Sequence, residues 1–483
     1  MTPTPNNPLR LVRIFSGIGL LHSLLFLGFW LTNSAFYTTT NEYLVKLTGA
    51  NLDYISICLV MAVLVFGWSA APLVWSGGGR MGDWLYAAIG ALFIVFFYGS
   101  FWLLFSKSPV QMVRLQQMLS YYRIGIDWLI LSGAAISLGL WVRGSGRNGW
   151  KALLPAFILY AIIWVIPLFS PPISVSSGQP PEKPKIIAHR GASMLAPENT
   201  LAAMNLAVEL GAYGVESDLH LSLDGVPFLM HDDSLARTTD VAAVFPGREK
   251  ERAESFTLAE VEALNAGKWF GESDPFGVIA NDLASPAQIE TYNTQQVPTL
   301  ADLLDVVRQG KVVLIFDMKQ PPEKHPFRDL FFPVIFEQIR AAQIDAQIWF
   351  LTSPEQAQVV RTQAPAMTLV YGADYDNPPP PESLVSSGYK IVNAEFGLSP
   401  AWIQRYQAAG LRVNLYTVDE AWQFKYLWLL GVNSITSSNA GQMLTLQRPD
   451  LFPLPVYWLI WIILGGAEAG LIWILGGARG RVG

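Results

Sequence analysis

The chain has 483 residues, 51% of them hydrophobic and only 14% charged, with a mean hydropathy of +0.31. A soluble protein carries about 25% charged residues, so this composition, with its apolar residues gathered in runs, points to a membrane protein with an attached globular domain. A net charge of −6 argues against a nucleic-acid partner, and a single cysteine, Cys58, excludes an intramolecular disulfide and leaves the compartment unassigned.

Runs long enough to cross about 30 Å of hydrocarbon are expected at 14–31, 54–74, 84–105, 124–142 and 153–169, with a sixth at 456–475. The first could also read as a signal peptide, with small residues at Ser34 and Ala35, although its apolar run is long and the cleavage pattern poor. Basic residues orient the spans. Arg10, Arg13, Arg80, Arg143, Arg147, Lys151, Arg479 and Arg481 fall on one side, and Lys46, Lys107, Arg114 and Arg123 on the other. Eight against four puts both termini in the cytoplasm and the block after the fifth span outside the cell membrane. Glu468, midway along the sixth span, is expected to face the bundle interior, with His22 a candidate partner.

The expected organisation is a transmembrane region over 1–170, a linker over 171–184, a globular domain over 185–447 and a last helix over 456–478. The linker contains five prolines, which favour an extended tether. Within the globular block, eight strand-like runs (KIIAH, GVESDLHL, VVLIFDMK, QIWFLT, TLVYG, KIVNAEF, RVNLYTV and NSIT) alternate with amphipathic stretches. An extra strand, VPFLMHDD, follows the second through the turn Asp224-Gly225. That alternation predicts an α/β fold, a (β/α)8 TIM-type barrel inserted between the spans, with its chemistry where the strands end. Both membrane connections are expected to leave the opposite face. The apolar helix from Trp422 to Leu430 is expected to pack on the barrel, the alternative being contact with the bilayer.

The strand tips are unusual. His189 and Arg190 end the first strand, Glu216 and Asp218 lie two apart on one face of the second, and His231 ends the extra strand. Asp317 and Lys319 repeat the two-residue spacing on the third. Three carboxylates without cysteine suggest a hard divalent cation, Mg²⁺ or Ca²⁺. Two cations beside it suit a phosphate that keeps one negative charge. Two histidines can serve as base and acid. Phosphodiester cleavage uses all of these parts. His220 shares the parity of Asp218 but sits deeper, which reads as structural, and neither His22 nor His325 is assigned a catalytic role.

HRGASMLAPENT and ESDLHLSLDGVPFLMHDDSLARTTD strongly resemble the glycerophosphodiester phosphodiesterase family, over nearly the whole block from 186 to about 440. The span arrangement, LNAGKWF, Asp274-Pro275-Phe276 and VNLYTVDEAWQFKYLWLLGVNSITSSNA resemble its six-span vertebrate branch, whose members act outside the cell on glycerophosphodiesters or glycosylphosphatidylinositol anchors. The resemblance implies that His189 and His231 are the acid/base pair, that Glu216 and Asp218 bind metal, and that Arg190 contacts phosphate. It implies that Pro197 turns the chain, that Asn199 or Thr200 caps the next helix, and that Gly191 allows close approach of the backbone to substrate. Three positions depart from the family. Asp317-Met318-Lys319 replaces Glu-x-Lys, so a shorter carboxylate would reach metal through water. Tyr416, in the wall of the leaving-group pocket, replaces Trp. Ser437 stands where relatives carry Asp and cannot replace its charge.

The expected activity is metal-dependent hydrolysis of a small glycerophosphodiester to glycerol 3-phosphate and an alcohol. Lysophospholipase D action or cleavage of glycosylphosphatidylinositol anchors is a second reading, and a non-catalytic receptor or transporter with a barrel binding module is a third. No protein partner is indicated.

Overall fold

The computed structural model describes residues 109–144 and 149–477, with a few more between 41 and 63. The chain divides into two compact units, Met1–Leu119 and Ser120–Gly483. Most described residues of the first unit are helical, in short runs within 54–63 and in the helix Pro109–Tyr121, whose end crosses into the second unit. The first and third expected spans, and most of the second, lie outside the described residues.

The second unit contains three helices long and apolar enough to cross a membrane. These are α1 (Arg123–Gly144), α2 (Gly149–Phe169) and α3 (Leu454–Gly477). They coincide with the expected spans at 124–142, 153–169 and 456–475. They are apolar all round, as a helix must be where both its bundle contacts and its outer face avoid water. Ala135, Ala156, Tyr160, Trp461 and Ile472 form part of their common core. At Gly465 a Cβ would lie 2.3 Å from Nε1 of Trp164, so any other residue here would displace the Trp164 ring. Glu468 is 6% exposed and faces inward as expected. Its carboxyl accepts hydrogen bonds from Ser132 Oγ at 2.6 Å and from the Tyr160 hydroxyl. These partners come from α1 and α2; His22 lies outside the described residues.

Between α2 and α3 lies a closed barrel of eight parallel strands: β1 Lys185–His189, β2 Gly214–Leu221, β3 Val313–Met318, β4 Ile348–Leu351, β5 Thr368–Ala373, β6 Ile391–Glu395, β7 Arg412–Tyr416 and β8 Ser434–Ser437. Each pairs with its sequence neighbours and β8 pairs with β1, which closes the sheet. All eight expected strands are present. Ile187, Ile315, Trp349, Val370 and Ile391, one from each of five strands, fill part of the barrel core. Three of the helices between strands start at side-chain caps. Thr299 caps Leu300–Gly310, Ser353 caps Pro354–Gln363 and Ser399 caps Pro400–Ala408.

The short strand Pro227–Leu229 pairs antiparallel with the end of β2. The long segment that follows folds back over its own apolar cluster, including Phe256 and Leu264. At the other pole, Val175–Ser176 in the linker pairs with Phe452–Pro453, directly before α3, so the connections to α2 and α3 meet on one side. The helix Ala421–Leu429 buries Trp422, Tyr426 and Trp428 within the protein. Trp422 packs on the rings of Tyr121 and Tyr122 with centroids 6.2 and 6.3 Å away, and Trp428 Nε1 donates to the Pro181 carbonyl at 2.8 Å. Asp450 ties this helix to the entry of α1, accepting from Lys425 Nζ at 2.8 Å and from the Tyr121 hydroxyl at 2.5 Å.

Candidate active site

Parallel pairing sets the level of the strand tips. His189 on β1 stands beside Glu216 on β2, and Asp218 beside Asp317 on β3. His189, Arg190, Glu216, Asp218, Asp317 and Lys319 therefore meet at one end of the barrel. His189 Nε2 lies 3.8 Å from Glu216 Oε2, and its Nδ1 is hydrogen-bonded to Ser438 Oγ at 2.9 Å. Burial and the neighbouring Arg190 charge lower the His189 imidazole to about 3, so it is neutral at ordinary pH.

The loop after β1 is held by its own motif. Arg190 and Asn199, neither of them glycine, have positive φ of 55° and 54°, and the Asn199 N–H donates to the Arg190 carbonyl at 3.0 Å. Each residue of Pro-Glu-Asn-Thr has a contact. The Pro197 carbonyl accepts from the Thr200 hydroxyl at 2.6 Å, and Thr200 caps the next helix by accepting from the Ala203 N–H. Asn199 is not the cap. It donates from Nδ2 to Asp218 at 3.1 Å and accepts from Ser217 Oγ at 2.9 Å, which fixes the Asp218 carboxylate. Glu198 accepts from Arg190 at 2.9 Å and from Arg237 at 2.7 and 2.9 Å, and these two cations hold its carboxyl below the usual range against the effect of burial. At Gly191, φ is +79° and a Cβ would lie 2.6 Å from the Ala203 carbonyl carbon, so the close approach here is to the following helix.

Asp218 is the electrostatic centre. Arg190 Nε lies 3.4 Å from Oδ2 without a hydrogen bond, and Lys319 Nζ lies 3.0 Å from Oδ1. Burial alone would raise this carboxyl, but the Arg190 and Lys319 charges outweigh it and keep it low. Glu216 behaves oppositely. Burial and the charge of Asp218 push it well above the carboxylate range, with the Arg190 N–H at 3.1 Å as a partial offset. A buried carboxylate disfavoured by a like charge is what an added cation would relieve, so Glu216 and Asp218 fit a hard divalent ion. Asp317 stands apart: its Oδ2 accepts from Lys319 at 2.7 Å and its side chain is 47% exposed. Among the described residues no three Asp, Glu, His or Cys side chains are gathered as a metal-ligand set. The three expected carboxylates thus do not form one cage, because the Lys319 ammonium sits between two of them.

His231 is partly exposed at the rim, with Nδ1 2.7 Å from Asp232, whose carboxylate also accepts from Arg237 Nε at 2.6 Å. Tyr416 ends β7. Burial and the nearby Glu395 and Asp317 raise its hydroxyl to about 12, so it is a neutral donor. His220 is fully buried, bonded through Nδ1 to Glu254 at 2.8 Å and stacked on Phe228, in accord with a structural role.

Two groups were not anticipated. Asp419, after β7, accepts from the Ser438 N–H at 2.7 Å and from Ser437 Oγ at 3.1 Å, and Ser438 in turn contacts His189. A carboxylate from the loop after β7 thus meets the tip of β8 at Ser437 and Ser438. Arg237, the bridge between Glu198 and Asp232, lies inside the stretch that carries the family resemblance, which was the available signal.

A family model described as the glycerophosphoryl diester phosphodiesterase family matches residues 189–441. The chain is similar to glycerophosphodiester phosphodiesterase domain-containing protein 5 of Gallus gallus, with 36% identity over 354 residues, 72% of this chain and 58% of that protein. It is 35% identical over 315 residues to domain-containing protein 4 of Macaca fascicularis, covering 64% of this chain and 49% of that one. The glycerophosphoinositol inositolphosphodiesterase of Homo sapiens is 36% identical over 322 residues, 66% of this chain and 58% of its own. The chain thus spans only 49% to 58% of the length of these curated relatives. Among solved structures, an Oleispira antarctica phosphodiesterase in complex with the product sn-glycerol-3-phosphate is 25% identical, covers 54% of this chain and 95% of its own, and has a TM-score of 0.45. With more than half of the residues inside the family match, and with the motifs of that match at the barrel mouth, the chain belongs to the glycerophosphoryl diester phosphodiesterase family.

Proposed function

We propose that the protein is an integral-membrane, divalent-metal-dependent phosphodiesterase that hydrolyses glycerophosphodiesters to glycerol 3-phosphate and an alcohol. Five spans would precede the extracytoplasmic barrel and one would follow it, with both termini in the cytoplasm. The observation that carries the chemistry is the juxtaposition of His189, Glu216 and Asp218 with Arg190 and Lys319 at the barrel mouth. Arg190 and Lys319 bind the phosphodiester anion. His189, neutral in the free site, accepts the proton of the attacking water as the bound phosphate's negative charge raises its basicity. His231, held through Nδ1 by Asp232, protonates the leaving oxygen. Tyr416 lines the leaving-group side as a neutral hydrogen-bond donor. Glu216 and Asp218 would hold Mg²⁺ or Ca²⁺, which supplies polarisation of a phosphoryl oxygen. Asp317 steadies Lys319 and would reach the ion only through water.

A second reading, cleavage on the other side of the phosphate, is favoured by the similarity to the human glycerophosphoinositol inositolphosphodiesterase. One assay separates the two. The purified full chain is incubated with water-soluble glycerophosphodiesters, including glycerophosphoinositol, with and without chelator, and the phosphate-bearing product is identified. Glycerol 3-phosphate supports the first reading and inositol phosphate the second. Turnover of lysophospholipids alone, or of no substrate with Mg²⁺ or Ca²⁺ present, refutes both.

A further inference from the structure

At the pole where the strands begin, opposite the mouth, lies a cavity of about 220 Å³ lined in part by Lys183, Lys185, Trp349 and Arg412. Lys185 and Arg412 are the first residues of β1 and β7, whereas His189 and Tyr416 are the last of the same strands. This cavity is therefore separate from the catalytic centre. Three cations line it against one acid, Glu182.

Their contacts are of an unusual kind. Lys185 Nζ sits 4.2 Å from the centre of the Tyr213 ring, and the Arg412 guanidinium 5.2 Å from that of Trp349. Lys183 Nζ donates to the Leu444 carbonyl at 2.9 Å, and burial lowers its pKa. Among the described residues none of the three cations has a carboxylate partner. Aromatic faces and a carbonyl fix the positions of these cations without neutralising them, so the cavity keeps its positive field. A guanidinium fork with two ammonium groups is a donor set suited to phosphate.

The location adds a source. Ser176 pairs with Pro453, the residue before α3, and lies seven positions from Lys183 along the linker, a reach of at most ~25 Å. We propose that this cavity is a second, non-catalytic anion site that takes the phosphate of a phospholipid headgroup or of a small soluble phosphomonoester. The lipid source rests on the membrane reading above; the phosphate chemistry does not.

The test uses the full chain in detergent, titrated calorimetrically with inorganic phosphate. The wild type should bind at two classes of site, and Lys185→Gln/Arg412→Gln should lose one of them or weaken it at least tenfold. That variant should keep its turnover of a soluble glycerophosphodiester within twofold, which shows that the barrel is intact. If it fails to fold, the single variant Lys183→Gln serves in its place and should weaken the same class. To distinguish the sources, wild type and variant are reconstituted with phosphatidylglycerol and the retained lipid is counted by native mass spectrometry. Lipid adducts lost in the variant support the headgroup. Phosphate binding without such adducts supports the soluble ligand. One class of phosphate site in the wild type, or the same two classes in the variant, overturns the proposal whether or not the chain proves to be an active membrane enzyme.

Discussion

Replacing Asp419 tests whether a carboxylate on one strand's loop can serve a histidine two strands away. Asp419 is 6% exposed and accepts from the Ser438 N–H at 2.7 Å, from Ser437 Oγ at 3.1 Å and from the Asn439 N–H at 3.4 Å. A hydrogen bond to a charged group contributes about 1.5–3 kcal/mol and a neutral one about 0.5–1.5. Asp419→Asn keeps an acceptor but loses the charge, so the two shorter bonds together should weaken by about 2–3 kcal/mol. Asp419→Ala leaves buried donors unmatched at about 1–3 kcal/mol each and should cost more. Part of that loss falls on Ser438, whose Oγ is 2.9 Å from His189 Nδ1. If about 1.4 kcal/mol of the His189 orientation is lost, kcat falls about tenfold. The assay is kcat and KM on a soluble glycerophosphodiester together with a thermal melt. Asp419→Asn and Ser438→Ala should each lower kcat with KM little changed, and the double variant should be no worse than the poorer single one, because the two act in one chain. A fall in melting temperature with kcat untouched, or fully additive losses, would refute the reasoning.

Other outcomes follow from the same geometry. His189→Ala and His231→Ala should each reduce kcat by about 10²–10⁴, whereas His220→Ala should lower the melting temperature and spare turnover; equal catalytic damage from all three would show that the wrong histidines are assigned. Chelation should abolish activity, with Mg²⁺ or Ca²⁺ restoring it, and Glu216→Ala should need far more added metal than Asp317→Ala, since Asp317 is engaged by Lys319. Full turnover in excess chelator would remove the metal from the mechanism. Glu254 is buried, which raises its carboxyl, but His220 and Arg252 outweigh that and hold it below its ordinary 4.5. Its stabilising contribution is thus complete above about pH 4.5 and lost as pH falls through the lower folded value. The melting-temperature gap between wild type and Glu254→Gln should accordingly be wide at pH 7 and close below pH 4.5; a gap independent of pH contradicts this.

Much of the barrel and its mouth was legible because the information is local. Alternating strands and helices imply a parallel barrel, and parallel strands bring all their C-terminal tips to one end. A two-residue spacing on a strand puts Glu216 and Asp218 on one face without any knowledge of their neighbours. The apolar runs of α1, α2 and α3 were readable for the same reason, since a span is defined by its own length and composition. Side-chain pairings between distant segments were not legible. Nothing in SITSSNA shows that Ser437 and Ser438 meet Asp419, because that depends on how β7 and β8 are registered and how their loops close. Lys319 and Asp317 look like a ligand and a cation side by side, and only packing places the ammonium between Asp218 and Asp317. Glu468 could be expected to turn inward, but Ser132 and Tyr160 became its partners through the way three helices pack. Periodicity decides which face of an element a residue occupies; register, loop closure and helix packing decide which other face it meets.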